Sequence, residues 1–268
     1  MTTATSGTNG LVVEGLCKRY GDHAAVDDVS FTLAPGSSLA VVGESGSGKT
    51  TTVRMLVGLE RADAGTVRLD GRDRSARPRN RSERLARARE IQMVFQDPYL
   101  SLDPRITVSG CLDEVLRLHT ALDASGRRAR VTELLDQVGL GAREATALPR
   151  RLSGGQRQRV AIARALAVEP RVLVLDEAVA ALDVSIQAQI LDLLTTIRRE
   201  AGIGYLFVTH DLAVVRHIAD QVLVLKSGKV VETGPTDRVL EAPEHPYTRL
   251  LLASVPRRGW DPALKAPA

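Results

Sequence analysis

Eight residues near the beginning of the chain have the residue types and spacing of a phosphate-binding loop. They match the pattern G-x-x-x-x-G-K-S/T and run Gly43-Glu44-Ser45-Gly46-Ser47-Gly48-Lys49-Thr50. The glycines let the backbone curl until successive N–H groups converge on an anion. In such a loop the ammonium of Lys49 reaches the β- and γ-phosphates, and the hydroxyl of Thr50 binds Mg²⁺. The stretch therefore predicts nucleotide binding, against the plainer interpretation of a glycine-rich turn before a helix.

Two adjacent carboxylates supply the second half of a phosphoryl-transfer site. Asp176 and Glu177 follow the apolar run Val172–Leu175, which is typical of a central parallel strand with functional residues at its carboxyl end. Hydrolysis of a phosphate ester or anhydride needs a metal held by a carboxylate and a group that orients or deprotonates the attacking water. We expect Asp176 to face Mg²⁺ and Glu177 to face the water.

Gln96 and His210 each stand at the end of another buried apolar run. If these strands lie parallel in one sheet, both side chains converge on the edge that carries Glu177, and we interpret them as sensors of the γ-phosphate. Outside that arrangement, His210 is more typical of a core or cap residue, and Gln96 carries no signal. The other histidines lack such a setting and are expected to be structural or surface residues: His23, His119, His217 and His245.

The apolar patterns predict an α/β chain that places these residues at strand ends. Strands are predicted at 11–20, 29–33, 39–42, 66–69, 91–95, 172–175, 205–209, 222–225 and 230–232, the last two as a hairpin. Helices are predicted at 51–59, across 105–166 and at 186–197, with a short helical tail over 235–256. A helical subdomain therefore interrupts a sheet that continues on either side of it.

Composition and charge exclude several classes of protein. The 268 residues suit one large domain or a domain with a subdomain. No apolar run approaches the roughly 20 residues of a membrane span, and the polar first ten residues lack the apolar centre of a signal peptide, so we expect a soluble, intracellular chain. The arginine-rich run 72–89 has no interleaved aromatic residues and indicates a solvated surface rather than a nucleic-acid site. The two cysteines lack metal spacing.

A second anion cradle precedes the helical run 157–166. It consists of Ser153-Gly154-Gly155-Gln156, which places a serine and two glycines at a helix N-terminus; alone, such a group is a helix cap. Together with the phosphate loop, the Asp176-Glu177 pair and His210 in the same order, it resembles the signature of ATP-binding cassette ATPases. The resemblance covers about residues 11 to 256.

The resemblance implies a fold, a dimer and a set of site residues. The implied fold is α/β, a P-loop NTPase core with a mostly parallel sheet, an N-terminal antiparallel β subdomain and an inserted α-helical subdomain. In this family each ATP lies between the phosphate loop of one cassette and the signature of another. Tyr20 matches the aromatic residue that stacks on adenine, although a strand-end tyrosine packed on the sheet remains open. Asp183 matches the loop that crosses the dimer interface.

The implied assignments are as follows. Nucleotide contacts fall to Tyr20, Gly43, Glu44, Ser45, Gly46, Ser47, Gly48, Lys49, Thr50, Thr51, Ser153, Gly154, Gly155, Gln156 and Asp183. Catalytic roles fall to Glu177, His210 and Gln96, and Mg²⁺ ligation to Thr50, Gln96 and Asp176. The cassette domain is expected over 11–235 with its helical subdomain at about 97–166, followed by a C-terminal extension over 236–256, with flexible tails at 1–10 and 257–268.

Two stretches narrow the resemblance to the ATPase subunits of oligopeptide, dipeptide and nickel importers. They are 91–105 and the tail motif His245-Pro246-Tyr247-Thr248-Arg249-Leu250-Leu251. The first implies contacts of 97–103 with a membrane subunit. The implied protein hydrolyses ATP with Mg²⁺ at the cytoplasmic face of the cell membrane. Its implied partners are two transmembrane permease subunits, a second cassette of the same or a related chain, and, indirectly, an extracytoplasmic solute-binding protein.

Several alternatives and departures stay open at this level. The first hypothesis is an importer whose cargo is a peptide. The second, from another class, is a non-transport cassette ATPase that acts on ribosomes or DNA. The third keeps transport and changes the cargo to nickel or another small solute. Relatives usually have proline and serine in the loop 178–181, where this chain has Ala-Val-Ala-Ala, so the rigidity of that loop is in question. A cysteine-rich C-terminal extension is lacking, so an iron–sulfur site is not expected.

Overall fold

A computed structural model describes residues 10–253. Its first sheet is antiparallel throughout, with strands in the order β2-β1-β4-β5. Those strands are β1 (Leu11–Tyr20), β2 (His23–Leu33), β4 (Ala64–Leu69) and β5 (Arg72–Asp73). Apart from residue 10, the predicted tails lie outside the described residues, as do residues 254–256 of the predicted extension.

The second sheet carries the strands whose ends hold the predicted site. Its order is β10-β9-β3-β8-β7-β6, and all neighbours are parallel except β10, which pairs antiparallel with β9. The strands are β3 (Ser38–Val42), β6 (Ile91–Val94), β7 (Val172–Asp176), β8 (Gly204–Val208), β9 (Gln221–Lys226) and β10 (Lys229–Pro235). The predicted parallel arrangement and the predicted final hairpin are confirmed.

Ten α-helices occur in the described part of the chain. They are α1 (Lys49–Leu56), α2 (Arg81–Glu90), α3 (Val108–His119), α4 (Ala124–Gln137), α5 (Ala142–Ala145), α6 (Gly154–Leu166), α7 (Val184–Ala201), α8 (Leu212–Ile218), α9 (Thr236–Glu241) and α10 (Pro246–Ala253). The predicted helical insertion corresponds to α3–α6. None of these helices is long and apolar enough to cross a membrane.

Several predicted boundaries differ from the observed ones, and two of the differences have a clear physical reason. The helix predicted over 51–59 begins at Lys49 and ends at Leu56, because Gly58 adopts a left-handed conformation with φ of 78° that terminates it. The strand predicted over 29–33 begins at His23. Its first half pairs with β1 across irregular register shifts, and Asp28 has a φ of 59°. Such bulges break the alternation that marks a strand in sequence.

The central sheet is buried on both faces, which explains its continuous apolar runs. In β3, Leu39 and Val41 pack towards the antiparallel sheet and α1, whereas Ala40 and Val42 pack towards the helices on the other side. The same alternation divides β7 and β8 between the two clusters. The functional residues are therefore at the ends of strands that the core holds from both sides.

Candidate functional site

A cavity of about 760 Å³ lies at the carboxyl edge of the parallel sheet. The phosphate loop forms one side of it, the β1–β2 turn forms another, and the residues after β7 and β8 close the third. This volume falls in the range of small-molecule sites. The cavity therefore joins the predicted phosphate loop to Glu177 and His210.

The phosphate loop is pressed against two neighbouring strands. Gly43 follows β3 directly, and a Cβ there would lie 2.2 Å from the carbonyl oxygen of Leu225 in β9. Gly48 has a φ of 102°, and a Cβ there would lie 2.3 Å from the carbonyl oxygen of Ala25 in β2. The loop also accepts a hydrogen bond of 3.0 Å at the Ser47 carbonyl from the N–H of Gly228. Only glycine allows this close approach of backbones at 43 and 48.

Lys49 is buried at the base of the loop. Its Nζ donates hydrogen bonds to the carbonyl oxygens of Gly43 at 2.7 Å and Glu44 at 2.8 Å. Burial lowers the pKa of Lys49, and the charges of Glu177, Asp176 and Glu44 partly oppose that effect. The Lys49 ammonium lines the cavity and is partly removed from water, so an anion in the cavity would meet a poorly hydrated positive charge.

The loop residues that line the cavity include Lys49 and Thr50, the first two residues of α1. A helix N-terminus and a buried ammonium both favour an anion. The Oγ of Ser47 is buried without a hydrogen-bond partner among the described residues, but Ser47 does not line the cavity. The lining residues of the loop therefore fit a polyphosphate.

The two carboxylates stand at the end of β7 as predicted. Burial, followed by the charge of Glu177, raises the pKa of Asp176 against the opposing charges of Arg54 and Lys49. Among the described residues, no group of three or more acidic, histidine or cysteine side chains could hold a metal alone. Thr50 lines the cavity and Asp176 does not. Mg²⁺ commonly takes one or two carboxylates together with substrate phosphates, so the oxygen donors of these two residues are of the type that ion prefers.

Glu177 has an unusual backbone that aims its side chain into the cavity. Its φ is 48°, and its N–H donates a 2.8 Å hydrogen bond to the carbonyl of Val208 at the end of β8. Its Oε1 lies 3.2 Å from Nδ1 of His210. A left-handed conformation in a residue with a side chain is typical of sites where function holds strain.

Other predicted residues lie at different distances from the cavity. Tyr20 is half-exposed at 49% and lines the cavity, with Nζ of Lys18 5.3 Å from its ring centre. Thr50 and Thr51 also line it. Gln96 follows the end of β6, as the parallel sheet requires, but it is exposed and does not line the cavity.

The second cradle is a well-formed helix N-terminus away from this cavity. Ser153 caps α6: its Oγ accepts from the N–H of Gln156 at 3.2 Å, while its own N–H donates to Oε1 of Gln156 at 2.9 Å. Gly155 is buried, and a Cβ there would lie 2.5 Å from Cγ2 of Ile186. Ser153 is exposed, and so is Asp183 before α7. None of the cradle residues 153–156 lines the cavity, and Asp183 does not line it either.

Two features of the site were missed in the sequence. His23 and Ala25 line the cavity, because the two-residue turn after Tyr20 pairs Tyr20 with His23 in the β1–β2 hairpin. The turn residues Gly21 and Asp22 signal that hairpin, so this placement was within reach of sequence reasoning. The second feature is a hydrogen bond of 3.0 Å from the N–H of Glu44 to the hydroxyl of Tyr247, which no local pattern indicates.

Two protein families match the sequence. The family described as "ABC transporter" matches residues 26–180. The family described as "Oligopeptide/dipeptide transporter, C-terminal region" matches residues 231–266.

Among curated proteins, the chain is 50% identical over 232 residues to the glutathione import ATP-binding protein GsiA of Escherichia coli strain K12. That match covers 87% of this chain but 37% of GsiA, so the chain spans little more than a third of that relative's length. The chain is 45% identical over 251 residues to the di/tripeptide transport ATP-binding protein DppF of Pseudomonas aeruginosa. The second match covers 94% of this chain and 77% of DppF.

Solved structures of two other proteins have the same fold as this chain. A dimeric post-hydrolysis state of the ATP-binding cassette MJ0796 bound to ADP and Pi is similar with a TM-score of 0.74 and 30% identity, over 84% of this chain and 98% of that chain. CbiO1 of Clostridium perfringens, part of the complex cbiONQ, is similar with a TM-score of 0.79 and 30% identity, over 88% of this chain and 92% of that chain.

Proposed function

Because the chain belongs to the ABC transporter family, we propose that it is the ATP-hydrolysing subunit of an importer. It couples ATP binding and hydrolysis in a head-to-tail cassette dimer to peptide uptake across the cytoplasmic membrane. The observation that carries the proposal is a single cavity in which the phosphate loop faces the paired side chains of Glu177 and His210.

ATP and Mg²⁺ are the cofactors of this proposal. The phosphates would be held by the ammonium of Lys49 and by backbone N–H groups of the loop residues that line the cavity, which are Ser45, Gly46, Gly48, Thr50 and Thr51. Thr50 and Asp176 would hold Mg²⁺, which when bound supplies charge neutralisation for the phosphates. Gln96 is exposed and outside the cavity, so its side chain would have to turn inward to join them. Tyr20 offers its exposed ring as a stacking surface for adenine.

Hydrolysis depends on how Glu177 is held. Its carboxylate orients the attacking water and accepts a proton from it. The hydrogen bond from its N–H to the Val208 carbonyl fixes the backbone of Glu177. The contact with His210 restrains its carboxylate. Glu177 keeps its strained positive φ because it directly follows β7 and its N–H is bonded to the end of β8.

A second cassette completes the site. Ser153 is exposed at the N-terminus of α6, and none of Ser153, Gly154, Gly155 and Gln156 lines the cavity of its own chain. An anion-binding end that faces outward is suited to nucleotide bound by a partner cassette, of the same or a related chain. Asp183 is exposed beside it and joins the same interface.

Peptides are the proposed cargo, because the C-terminal family match and the names of relatives concern oligopeptide, di/tripeptide and glutathione import. Two transmembrane permease subunits and, indirectly, a solute-binding protein are the remaining partners. The subunit then works at the cytoplasmic face of the cell membrane.

Two measurements test the proposal. The first is purification of the tagged chain from gently solubilised native membranes, with co-purifying proteins identified by mass spectrometry. Permease subunits with a solute-binding protein are expected; ribosomal proteins or nucleic acid without a membrane protein would overturn the transport role. The second is titration of the purified chain with ATP, in which Lys49→Ala is expected to weaken binding by roughly tenfold or more. Unchanged affinity in that variant would overturn the nucleotide site.

A further inference from the structure

The C-terminal helix reaches back to the phosphate loop through one side chain. Tyr247, in the first turn of α10, is 4% exposed, and its hydroxyl accepts a 3.0 Å hydrogen bond from the N–H of Glu44. The two residues are 203 positions apart in the chain. The contact therefore joins the segment after the last strand directly to the loop that binds phosphate.

The peptide group between Gly43 and Glu44 is held at both ends. Its N–H donates to the Tyr247 hydroxyl, and its carbonyl oxygen accepts from Nζ of Lys49 at 2.7 Å. Carbonyl and N–H point in opposite directions across a trans peptide, so Lys49 acts from inside the loop and Tyr247 from outside. If the Lys49 ammonium turns from the Gly43 carbonyl to a phosphate, the hydrogen bond to Tyr247 still keeps this peptide group from rotating.

The ring of Tyr247 is fixed by its surroundings. Nζ of Lys226, the last residue of β9, lies 4.8 Å from the ring centre, within the range of a cation–π contact. The preceding residue, Leu225, has the carbonyl oxygen against which Gly43 packs. One tyrosine therefore contacts both the loop and the end of the strand beside it.

The start of α10 is anchored to β10 by a buried carboxylate. Glu232 is 8% exposed and accepts hydrogen bonds from the N–H groups of Glu244 at 2.8 Å and His245 at 3.1 Å. Nδ1 of His245 in turn accepts from the N–H of Tyr247 at 3.1 Å. This chain of contacts sets the position of the hydroxyl relative to the sheet.

We infer that Tyr247 is a positioning residue of the nucleotide site, through which docking of α10 strengthens ATP binding. The inference rests on the proposed function. Coupling between two equilibria is reciprocal, so ATP in the loop also stabilises the docked helix. Loss of one hydrogen bond of this kind corresponds to a roughly three- to tenfold change in affinity.

The test compares two tyrosine-to-phenylalanine variants of the full chain. Tyr247→Phe removes the hydroxyl and keeps the ring, whereas the control, Tyr205→Phe, removes a buried hydroxyl of β8 that has no partner among the described residues. ATP titration is expected to show roughly three- to tenfold weaker binding for Tyr247→Phe and no change for the control. In steady-state assays KM for ATP rises and kcat at saturation stays near the original value.

A second readout needs no nucleotide. Amide hydrogen exchange at Glu44 is expected to accelerate in Tyr247→Phe in the nucleotide-free protein, with exchange in β3 and β8 unchanged. Equal ATP affinity and equal exchange at Glu44 in both variants would overturn the inference. If instead Lys49→Ala retains full affinity, the proposed function itself fails; normal affinity in Tyr247→Phe beside weak binding in Lys49→Ala removes only the role of α10.

Discussion

The carboxylate of Glu177 lies 3.2 Å from Nδ1 of His210, although 33 positions separate the two residues. The contact arises because β7 and β8 are parallel neighbours whose register places Asp176 opposite Val208. Each side chain therefore leaves the sheet at the same edge. The pair gives the site one group that can accept a proton and one that restrains it.

Removing the charge of Glu177 separates binding from hydrolysis. Glu177→Gln is nearly isosteric but cannot accept a proton, so we expect turnover to fall by roughly a hundredfold or more. Affinity for ATP should be retained, because the phosphates are held by the loop. Steady-state assays and direct ATP titration measure the two effects. Glu200→Gln, at the exposed end of α7, is the matched control, and normal turnover in Glu177→Gln would refute the assigned base.

His210 is expected to act through the position of Glu177. His210→Ala should lower kcat while ATP binding changes little, because the carboxylate keeps its chemistry but loses its restraint. The chain offers a matched control in His217→Ala. His217 is also exposed and lies 3.0 Å from Oδ1 of Asp192, but on α8 away from the cavity. Equal loss of activity in both variants would mean that the effect is not specific to the site.

The parallel sheet and the groups at its edge were predictable because strand ends, glycine spacing and charge are local properties. Residues 39–42, 172–175 and 205–209 read as buried strands, and parallel pairing brings their ends together. The contact between Glu44 and Tyr247 was not predictable in this way, since it depends on how a C-terminal helix packs on the finished domain. Gln96 was expected to converge on the site, but it is exposed and outside the cavity. The sequence predicts that Gln96 lies at the carboxyl edge of the sheet, but it does not determine the direction of the side chain.

The loop after Glu177 is restrained by its packing. Its sequence lacks the proline that restrains relatives, yet Ala178 and Val179 are buried. The N–H of Ala180 donates to the carbonyl of Glu177 at 3.0 Å, and the N–H of Leu182 donates to that of Val179 at 3.2 Å. Turn hydrogen bonds and burial therefore restrain this loop in the absence of the proline.

Gly48 cannot accept a side chain, for two separable reasons. Its φ of 102° strains any residue with a Cβ, and that Cβ would lie 2.3 Å from the Ala25 carbonyl oxygen. Gly58→Ala is the control, since Gly58 has a φ of 78° but open space around it. We expect Gly58→Ala to cost about 1 to 2 kcal/mol of unfolding free energy and to leave ATP binding intact. Gly48→Ala should cost more and abolish binding; equal effects in denaturation and titration would contradict this.

Charge at Ser153 tests the proposed composite site without loss of the helix cap. Asp and Asn both cap helices well, but Ser153→Asp adds a negative charge facing the phosphates of a partner, whereas Ser153→Asn does not. We expect Ser153→Asp to bind ATP normally as a single chain and to lose ATP-dependent dimerisation and turnover. Ser153→Asn should retain more of both. Gel filtration with ATP in a Glu177→Gln background measures dimerisation, and full dimerisation of the Asp variant would argue against the composite site.

The anchor of α10 at Glu232 should depend on pH. Burial alone would raise the pKa of Glu232, but the hydrogen bonds that its carboxylate accepts outweigh burial and lower it. Because the folded-state pKa lies below the unfolded one, the stabilisation is present above the ordinary carboxyl pKa. It is lost as the pH falls through the lowered value.

Glu232→Gln is expected to loosen α10 at neutral pH, because an amide offers one oxygen where two N–H groups now share a carboxylate. Unfolding free energy should fall by about 1 to 3 kcal/mol, and amide exchange over 246–253 should accelerate. The control is Glu241→Gln, since Glu241 makes an exposed ion pair of 3.6 Å with Arg216 and such pairs contribute little. If α10 is as protected in Glu232→Gln as in the control, the helix is held by its apolar contacts alone. The carboxylate would then have no part in presenting Tyr247 to the phosphate loop.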